Sequence, residues 1–285
     1  MQCIAQAECV LGEGPVWVER EKALYWVDIV GEKLFRWSEA GGTKRIDVER
    51  AVTAIAPRQS GGWVAGMKSG AIGLLHAGFA IERELALGGE PQTNRTNDGK
   101  IDREGRFWVG TMDGREREAS GSLFRLGSSG GVDRLDQGYR VTNGPAFSRD
   151  GRTLYHTDSA LQTIYAFDLD GDGELGERRV FRRFSEGEGY PDGMTVDAED
   201  CLWVAFWDGW CVRRIDPSGT ILEEIAVPVQ RPTSCAFGGT DMRSLFITSA
   251  RRDLDEEALA GQPDAGGVFM ADVGVTGIAE LPFAG

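Results

Sequence analysis

Six oxygen-bearing side chains stand at one repeated place in this sequence: Glu13, Thr53, Asn97, Asn143, Asp192 and Ser234. Each lies ten or eleven residues before a short motif that recurs along the chain. The motifs are LYWV at Leu24, WVAG at Trp63, FWVG at Phe107, LYHT at Leu154, LWVA at Leu202 and LFIT at Leu245. None of the six is a large apolar residue, although a position filled only for packing would accept one. Carboxylates and amide oxygens gathered round an axis are how a hard cation is held. Glu13 and Asp192 bring two negative charges and Asn143 a neutral oxygen, a set that suits Ca²⁺, Mg²⁺ or Mn²⁺ with water completing the shell. Fe²⁺ or Zn²⁺ is less favoured by an all-oxygen set. With few protein ligands the cation keeps open positions, so it can polarise a carbonyl and acidify a water, and Asp192 can double as the general base. Arg95, two residues before Asn97, is placed to orient an oxygen-rich substrate; its bland alternative is a salt bridge to a loop carboxylate.

Other chemistry is scarce. The chain has two histidines, His76 and His156, and neither holds a ring position. His76 reads as a surface residue and His156 as a packed one, so a Ser–His–Asp arrangement through Ser234 is disfavoured. No nucleophile elbow, phosphate-binding glycine loop or dinucleotide fingerprint occurs in strand–helix context. The acidic run DLDGDGE (168–174) begins like an EF-hand loop, but Arg179 stands where the bidentate Glu is required, so it reads as a turn. Trp207 is placed to form a sugar-stacking wall, whereas Trp17 and Trp210 read as core.

The elements that position the ring follow from the same repeat. The motif starts are separated by 39, 44, 47, 48 and 43 residues. Each motif is followed by a loop and a further strand pattern: KLFRW, AIGLL, SLFRL, TIYAF, CVRRI and GVFMA. Four short strands per unit with a period in the forties is the signature of a β-propeller. An all-β sandwich is the competing architecture, but it would not repeat one four-strand unit six times. The expected fold is therefore all-β, a six-bladed propeller of four-stranded antiparallel blades, with residues 1–285 as one domain. The ring residues fall at the start of each blade's innermost strand. By equivalence, residues 4–7 form an outer strand that joins the last blade and closes the ring, with residues 277–283 as competitor for that place. The long loops 111–120 and 249–266, the latter with a helical pattern at 254–260, lie at the same end as the ring, as lids or as solvated insertions.

Composition bounds the partners. A net charge of −14 argues against nucleic-acid or anionic-membrane binding. No apolar run approaches a membrane span, and the first ten residues carry neither a charged nor a long apolar signal region. The five cysteines lack metal-site spacing and read as free thiols of a reducing cytoplasm. The expected state is a monomer or weak homo-oligomer.

At the ring residues the chain resembles the SMP-30/gluconolactonase/LRE family. The matching segments are LGEGPVW (11–17), RTNDGKIDREGRFWVGTM (95–112), TNGPAFSRDGRTLYHTD (142–158), IYAFDLD (164–170), YPDGMTVDAEDCLWVA (190–205) and GGVF (266–269). The resemblance implies a six-bladed propeller with one divalent metal ion on Glu13, Asn143 and Asp192, and sugar contacts from Arg95 and Asn97. It implies hydrolysis of an aldonolactone, such as xylono-, arabinono- or gluconolactone, with Asp192 as base. Some members place a Glu three residues after the GTM segment; here that residue is Arg115, and Glu116 is the nearest substitute as a substrate contact. The loops and the LYHTD and IYAFDL segments look most like xylonolactonase-type members. The competing functions are a non-catalytic calcium-binding or regulatory protein and a phosphotriesterase or arylesterase on the same fold.

Overall fold

β-Branched and aromatic runs alternate with Gly, Asp and Ser turns throughout the chain, and such runs form half-buried or buried strands. A computed structural model, which describes residues 1–285, contains 24 strands in six four-stranded antiparallel sheets. These are the blades of a six-bladed β-propeller. The six first strands are Gly12–Val18, Val52–Pro57, Asn94–Ile101, Thr142–Phe147, Tyr190–Val196 and Pro232–Gly238. The six second strands are Ala23–Asp28, Trp63–Met67, Phe107–Asp113, Thr153–Asp158, Leu202–Trp207 and Ser244–Ser249, and each contains its repeated motif.

Five blades run in chain order. The sixth takes its outer strand from the N-terminus, where Gln2–Ala5 pairs antiparallel with Val268–Asp272. Residues 277–283 do not compete for that place, because their backbone is committed elsewhere.

By density of contacts the chain forms two compact units. One comprises Met1–Ile46 and Phe184–Ala279, which carry blades one, five and six. Its core gathers Trp203, Phe237, Leu245 and Phe269 in one cluster, and Trp26, Phe35 and Phe246 in another. Residues 276–277 are bound within this unit: Ala198 N donates to Thr276 O at 2.8 Å and Gly277 N to Met242 O at 2.7 Å. The other unit comprises Asp47–Arg183 and Glu280–Gly285, with blades two, three and four. Its core gathers Val64, Phe107, Val109 and Phe124, and buries Phe283 from the last six residues. Phe283 N donates to Pro57 O, and Gln59 N to Phe283 O, both at 2.8 Å.

The far end of the first strands is braced in the same way in both units. Asp102 and Asp197 each follow a first strand and accept from the next strand's indole, Trp108 Nε1 and Trp203 Nε1, at 2.8 Å. Each also accepts from an arginine Nε, Arg106 at 2.5 Å and Arg214 at 2.8 Å. These buried carboxylates serve the turns rather than the ring end.

The loop after the third blade's second strand is shorter than the sequence implies, because that strand continues to Asp113. The helical pattern near residue 254 forms one short helix, Glu256–Gly261, capped by the Asp255 side chain on Ala258 N. The acidic 168–174 run is a turn: Asp170 accepts from the backbone N–H groups of Asp172 and Glu174. Trp210 is not core. It is 44 % exposed, at positive φ in a tight turn that leaves its ring outside the blade packing. Trp17 is half-buried and stacks on Phe246 at 5.5 Å.

Candidate functional site

All six repeated positions lie near the start of a first strand, and all six side chains are buried. What aims them is a break in strand register common to all six blades. Between Glu13 and Val16 the first strand advances three residues while its partner advances two, from Val27 to Tyr25. The same one-residue excess occurs between Asn143 and Ala146, between Pro191 and Met194, and between Thr96 and Gly99. It recurs between Val52 and Ala54 and between Pro232 and Ser234. A β-bulge of this kind leaves a residue outside the ladder and re-aims its side chain. Glu13 and Asn143 are the last paired residues before their bulges. Both precede Gly-Pro, with Gly14 and Gly144 at positive φ, where a side chain would be strained.

In the unit holding blades two to four, the predicted residues form a connected chain. Arg95 Nη1 donates to Asn97 Oδ1 at 2.6 Å. Asn97 Nδ2 donates to Asn143 Oδ1 at 2.8 Å and to Thr142 O at 2.6 Å. Asn143 Nδ2 donates to Ser159 Oγ at 2.9 Å. These bonds fix which way the Asn143 amide faces: its nitrogen is held by Ser159, and its oxygen retains a second lone pair for a further partner. Thr53 and Thr96 share a hydroxyl hydrogen bond of 2.7 Å. Asp98, next to Asn97, is buried; burial pushes its carboxyl up to about 6 against the pull of Lys100 and the Gly99 N–H. Glu116 lies on a different element from Asn97 and Asn143. It stands exposed at positive φ on the loop after Asp113, beside the exposed Arg115.

In the unit holding blades one, five and six, Glu13 Oε2 accepts from Gly14 N at 3.1 Å. Asp192 is 4 % exposed and lies in its bulge, followed by Gly193. A Cβ on Gly193 would fall 2.1 Å from Ser234 Oγ, so the backbone carrying Asp192 is pressed against the Ser234 ring position. Trp207 is half-buried, with the Arg231 guanidinium 4.7 Å from its ring centroid, and Asp208 Oδ1 accepts from Arg231 Nε at 2.7 Å.

The histidines fall as expected. His76 is exposed and His156 fully buried, its nitrogens without hydrogen-bond partners and its ring edge-on to Tyr139 at 4.6 Å. Two supporting residues carried no sequence signal. Ser159 orients Asn143. Glu90 accepts from Asn94 Nδ2 and from the Thr111 and Ser122 hydroxyls at 2.6–2.7 Å, bracing the strand that carries Arg95 and Asn97.

The six repeated positions include two buried carboxylates and one amide oxygen of fixed orientation, with no imidazole or thiol, and these are the donor types a hard divalent cation takes. The five cysteines are free, and none lies at a ring position.

Comparison with known proteins places the chain in a family. The family profile described as "SMP-30/Gluconolactonase/LRE-like region" matches residues 11–251. A 6-deoxy-6-sulfogluconolactonase of Pseudomonas putida is 38% identical over 290 residues, covering 100% of this chain and 99% of that protein. A regucalcin of Gallus gallus is 37% identical over 294 residues, covering 100% and 98%. The crystal structure of a calcium-binding protein, regucalcin, from Agrobacterium tumefaciens superposes with a TM-score of 0.91 at 27% identity, covering 99% of this chain and 96% of that one. A gluconolactonase from Xanthomonas campestris gives 0.74 at 26% identity, covering 94% and 87%.

Proposed function

The chain belongs to the SMP-30/gluconolactonase/LRE-like family, and from that premise we propose that it hydrolyses a sugar lactone to the aldonic acid with the help of one divalent cation. The observation that carries the reading is the recurrence of buried oxygen donors at the bulge of every first strand, with Glu13, Asn143 and Asp192 as the cation's ligands. When bound, the cation polarises the lactone carbonyl and lowers the pKa of an adjacent water. The rest is the work of the protein's own groups. The Asp192 carboxylate takes the proton of the attacking water and returns it to the departing ring oxygen as the lactone opens. Asn143 keeps a single amide orientation because Ser159 and Asn97 hold both its ends. Arg95 and Asn97 contact the sugar hydroxyls, and their mutual hydrogen bond fixes the donors before substrate arrives.

The substrate class is an aldonolactone such as xylono-, arabinono- or gluconolactone. The relative from Pseudomonas putida is named for a sulfonated gluconolactone, and Arg115 and Glu116 on the exposed loop are where the sugar's substituents would be told apart. A second reading is a calcium-binding protein without turnover. It is favoured by the regucalcin relatives and by the Agrobacterium structure described as calcium-binding. The test is turnover on a panel of aldonolactones, with an aryl ester and a phosphotriester as controls, by protein stripped of metal and then reconstituted. The lactonase reading expects activity on lactones only, lost on stripping and restored by Ca²⁺, Mg²⁺ or Mn²⁺. Full activity of metal-free protein removes the cation from the mechanism. Tight metal binding without turnover on any lactone supports the second reading.

A further inference from the structure

Two buried aspartates outside the ring occupy one place in two blades. Asp28 ends the second strand of blade one and Asp158 that of blade four, each 1 % exposed. Asp28 Oδ2 accepts from Val10 N at 3.0 Å and its Oδ1 from Leu11 N at 2.9 Å. Asp158 Oδ2 accepts from Arg140 N at 2.9 Å and its Oδ1 from Val141 N at 3.2 Å. The next residue repeats the match: Ile29 N donates to Leu11 O at 3.0 Å and Ser159 N to Val141 O at 2.9 Å. In both blades the clamped pair stands immediately before the first strand, and its second member two residues before the ring residue, Glu13 or Asn143.

The backbone bond recurs in other blades, from Lys68 N to Ala51 O, Gly114 N to Thr93 O and Ala250 N to Arg231 O at 2.9–3.0 Å, but the carboxylate clamp does not. The other second strands end in Met67, Asp113, Trp207 and Ser249. Asp113, the one aspartate among them, accepts from the N–H groups of Arg117 and Glu118 in its own loop. The clamp therefore coincides with the two blades whose ring residue precedes Gly-Pro. The backbone N–H groups it satisfies come just ahead of the first strand. One carboxylate meets both with charge-assisted bonds, so the lead-in has a single position.

Resting on the cation reading above, we propose that Asp28 and Asp158 are positioning residues for the metal ligands, fixing the lead-ins so that Glu13 and Asn143 present their oxygens at coordinating distance. Blade four adds a second hold from the same turn, since Ser159 accepts from Asn143 Nδ2. Neither aspartate touches the cation; each acts through the backbone.

The experiment is calorimetric titration of Mn²⁺, and separately Ca²⁺, into metal-free wild type, Asp28→Asn, Asp158→Asn and Asp102→Asn. The amide substitution turns one acceptor into a donor that faces a backbone N–H. Loss of an outer partner of this kind weakens metal binding about 10–100-fold, and that is the expected result for Asp28→Asn and Asp158→Asn, with turnover recovered at saturating metal. Asp102 is equally buried and accepts at least as many hydrogen bonds, but at the far end of its blade. Asp102→Asn should lower the melting temperature of the metal-free protein and leave metal affinity within about twofold of wild type. Equal weakening in all three variants makes the effect a general loss of stability and overturns the assignment. So does unchanged affinity in both test variants, or failure of both to fold while Asp102→Asn folds. A wild type that binds neither metal overturns the cation reading itself, a result visible before any variant is titrated.

Discussion

At the scale of the residue, Asp192 carries two proposed roles, ligand and base, and substitutions separate them. Asp192→Asn keeps the size and one coordinating oxygen but removes the charge and the basicity. Asn143→Asp adds charge without deleting an oxygen. Loss of a positioned general base costs about 10²–10⁴-fold in rate, so Asp192→Asn should lose at least that in kcat even at saturating metal. Asn143→Asp should bind metal at least as tightly and lose less. Near-wild-type turnover of metal-saturated Asp192→Asn, with occupancy checked by metal analysis, makes Asp192 a ligand only and moves the search for a base to buried Asp98. Asn97 sharpens the picture further. On the family resemblance its removal should touch substrate binding and spare the metal, but its amide donates to Asn143 Oδ1. Asn97→Ala should therefore raise KM and also loosen metal binding slightly, by less than the loss from Asp28→Asn. A metal affinity that falls as far as it does on removing Glu13 would make Asn97 a ligand itself.

At the scale of the element, the bulge is the working part. Gly193 shows how tightly it is built, since an alanine Cβ there meets Ser234 Oγ at 2.1 Å, Cβ at 2.5 Å and Cα at 2.9 Å. Overpacking of this sort costs about 1–3 kcal/mol. Gly193→Ala should lower the melting temperature and shift Asp192 enough to weaken metal binding. Ser234→Gly removes two of the three clashing atoms, so the double variant should recover part of both losses. Strict additivity of the two single effects would show that the contact does not couple them. The strands themselves were readable from sequence, because each second strand is a run of buried apolar residues bounded by turn residues, and the period of that run fixes the blade. The TIYAF pattern, for example, lies within the strand Thr163–Asp168. The six repeated positions near the starts of the first strands were also readable, as offsets from those runs. The bulges were not, because an extra residue in one strand is visible only against its partner's register. Nor were the Asp28 and Asp158 clamps. LYWVD and LYHTD end alike, but an aspartate at a strand end reads as a turn residue until its acceptors are seen. Trp210 misled because an aromatic in a strand-rich stretch suggests core, while its tight turn leaves the ring outside.

At the scale of the whole molecule, acid stability tests the packing. His156 is buried with no hydrogen-bond partner on either nitrogen, and burial, aided by the Arg178 charge, holds its pKa down at about 3 from an ordinary value of 6.5. A base whose pKa is depressed by folding contributes stability that is present above 6.5 and lost as pH falls from there towards 3, because the unfolded chain takes up a proton that the folded one refuses. By pH 5 that uptake amounts to about 2 kcal/mol relative to neutral pH. His76, the other histidine, is exposed and lies in a different blade, so it stays the same in wild type and variant. His156→Phe keeps an aromatic ring against Tyr139 and removes the proton acceptor. Denaturant midpoints for metal-free wild type and variant at pH 7, 6 and 5 should converge or favour the variant as pH falls, the difference in unfolding free energy changing by about 2 kcal/mol from pH 7 to pH 5. A difference that stays constant across that range would mean His156 takes up its proton equally in both states. Its burial would then be relieved by solvent reaching the ring, and the blade three–blade four packing round Tyr139 would be more open than the ring contacts at 4.6 Å imply.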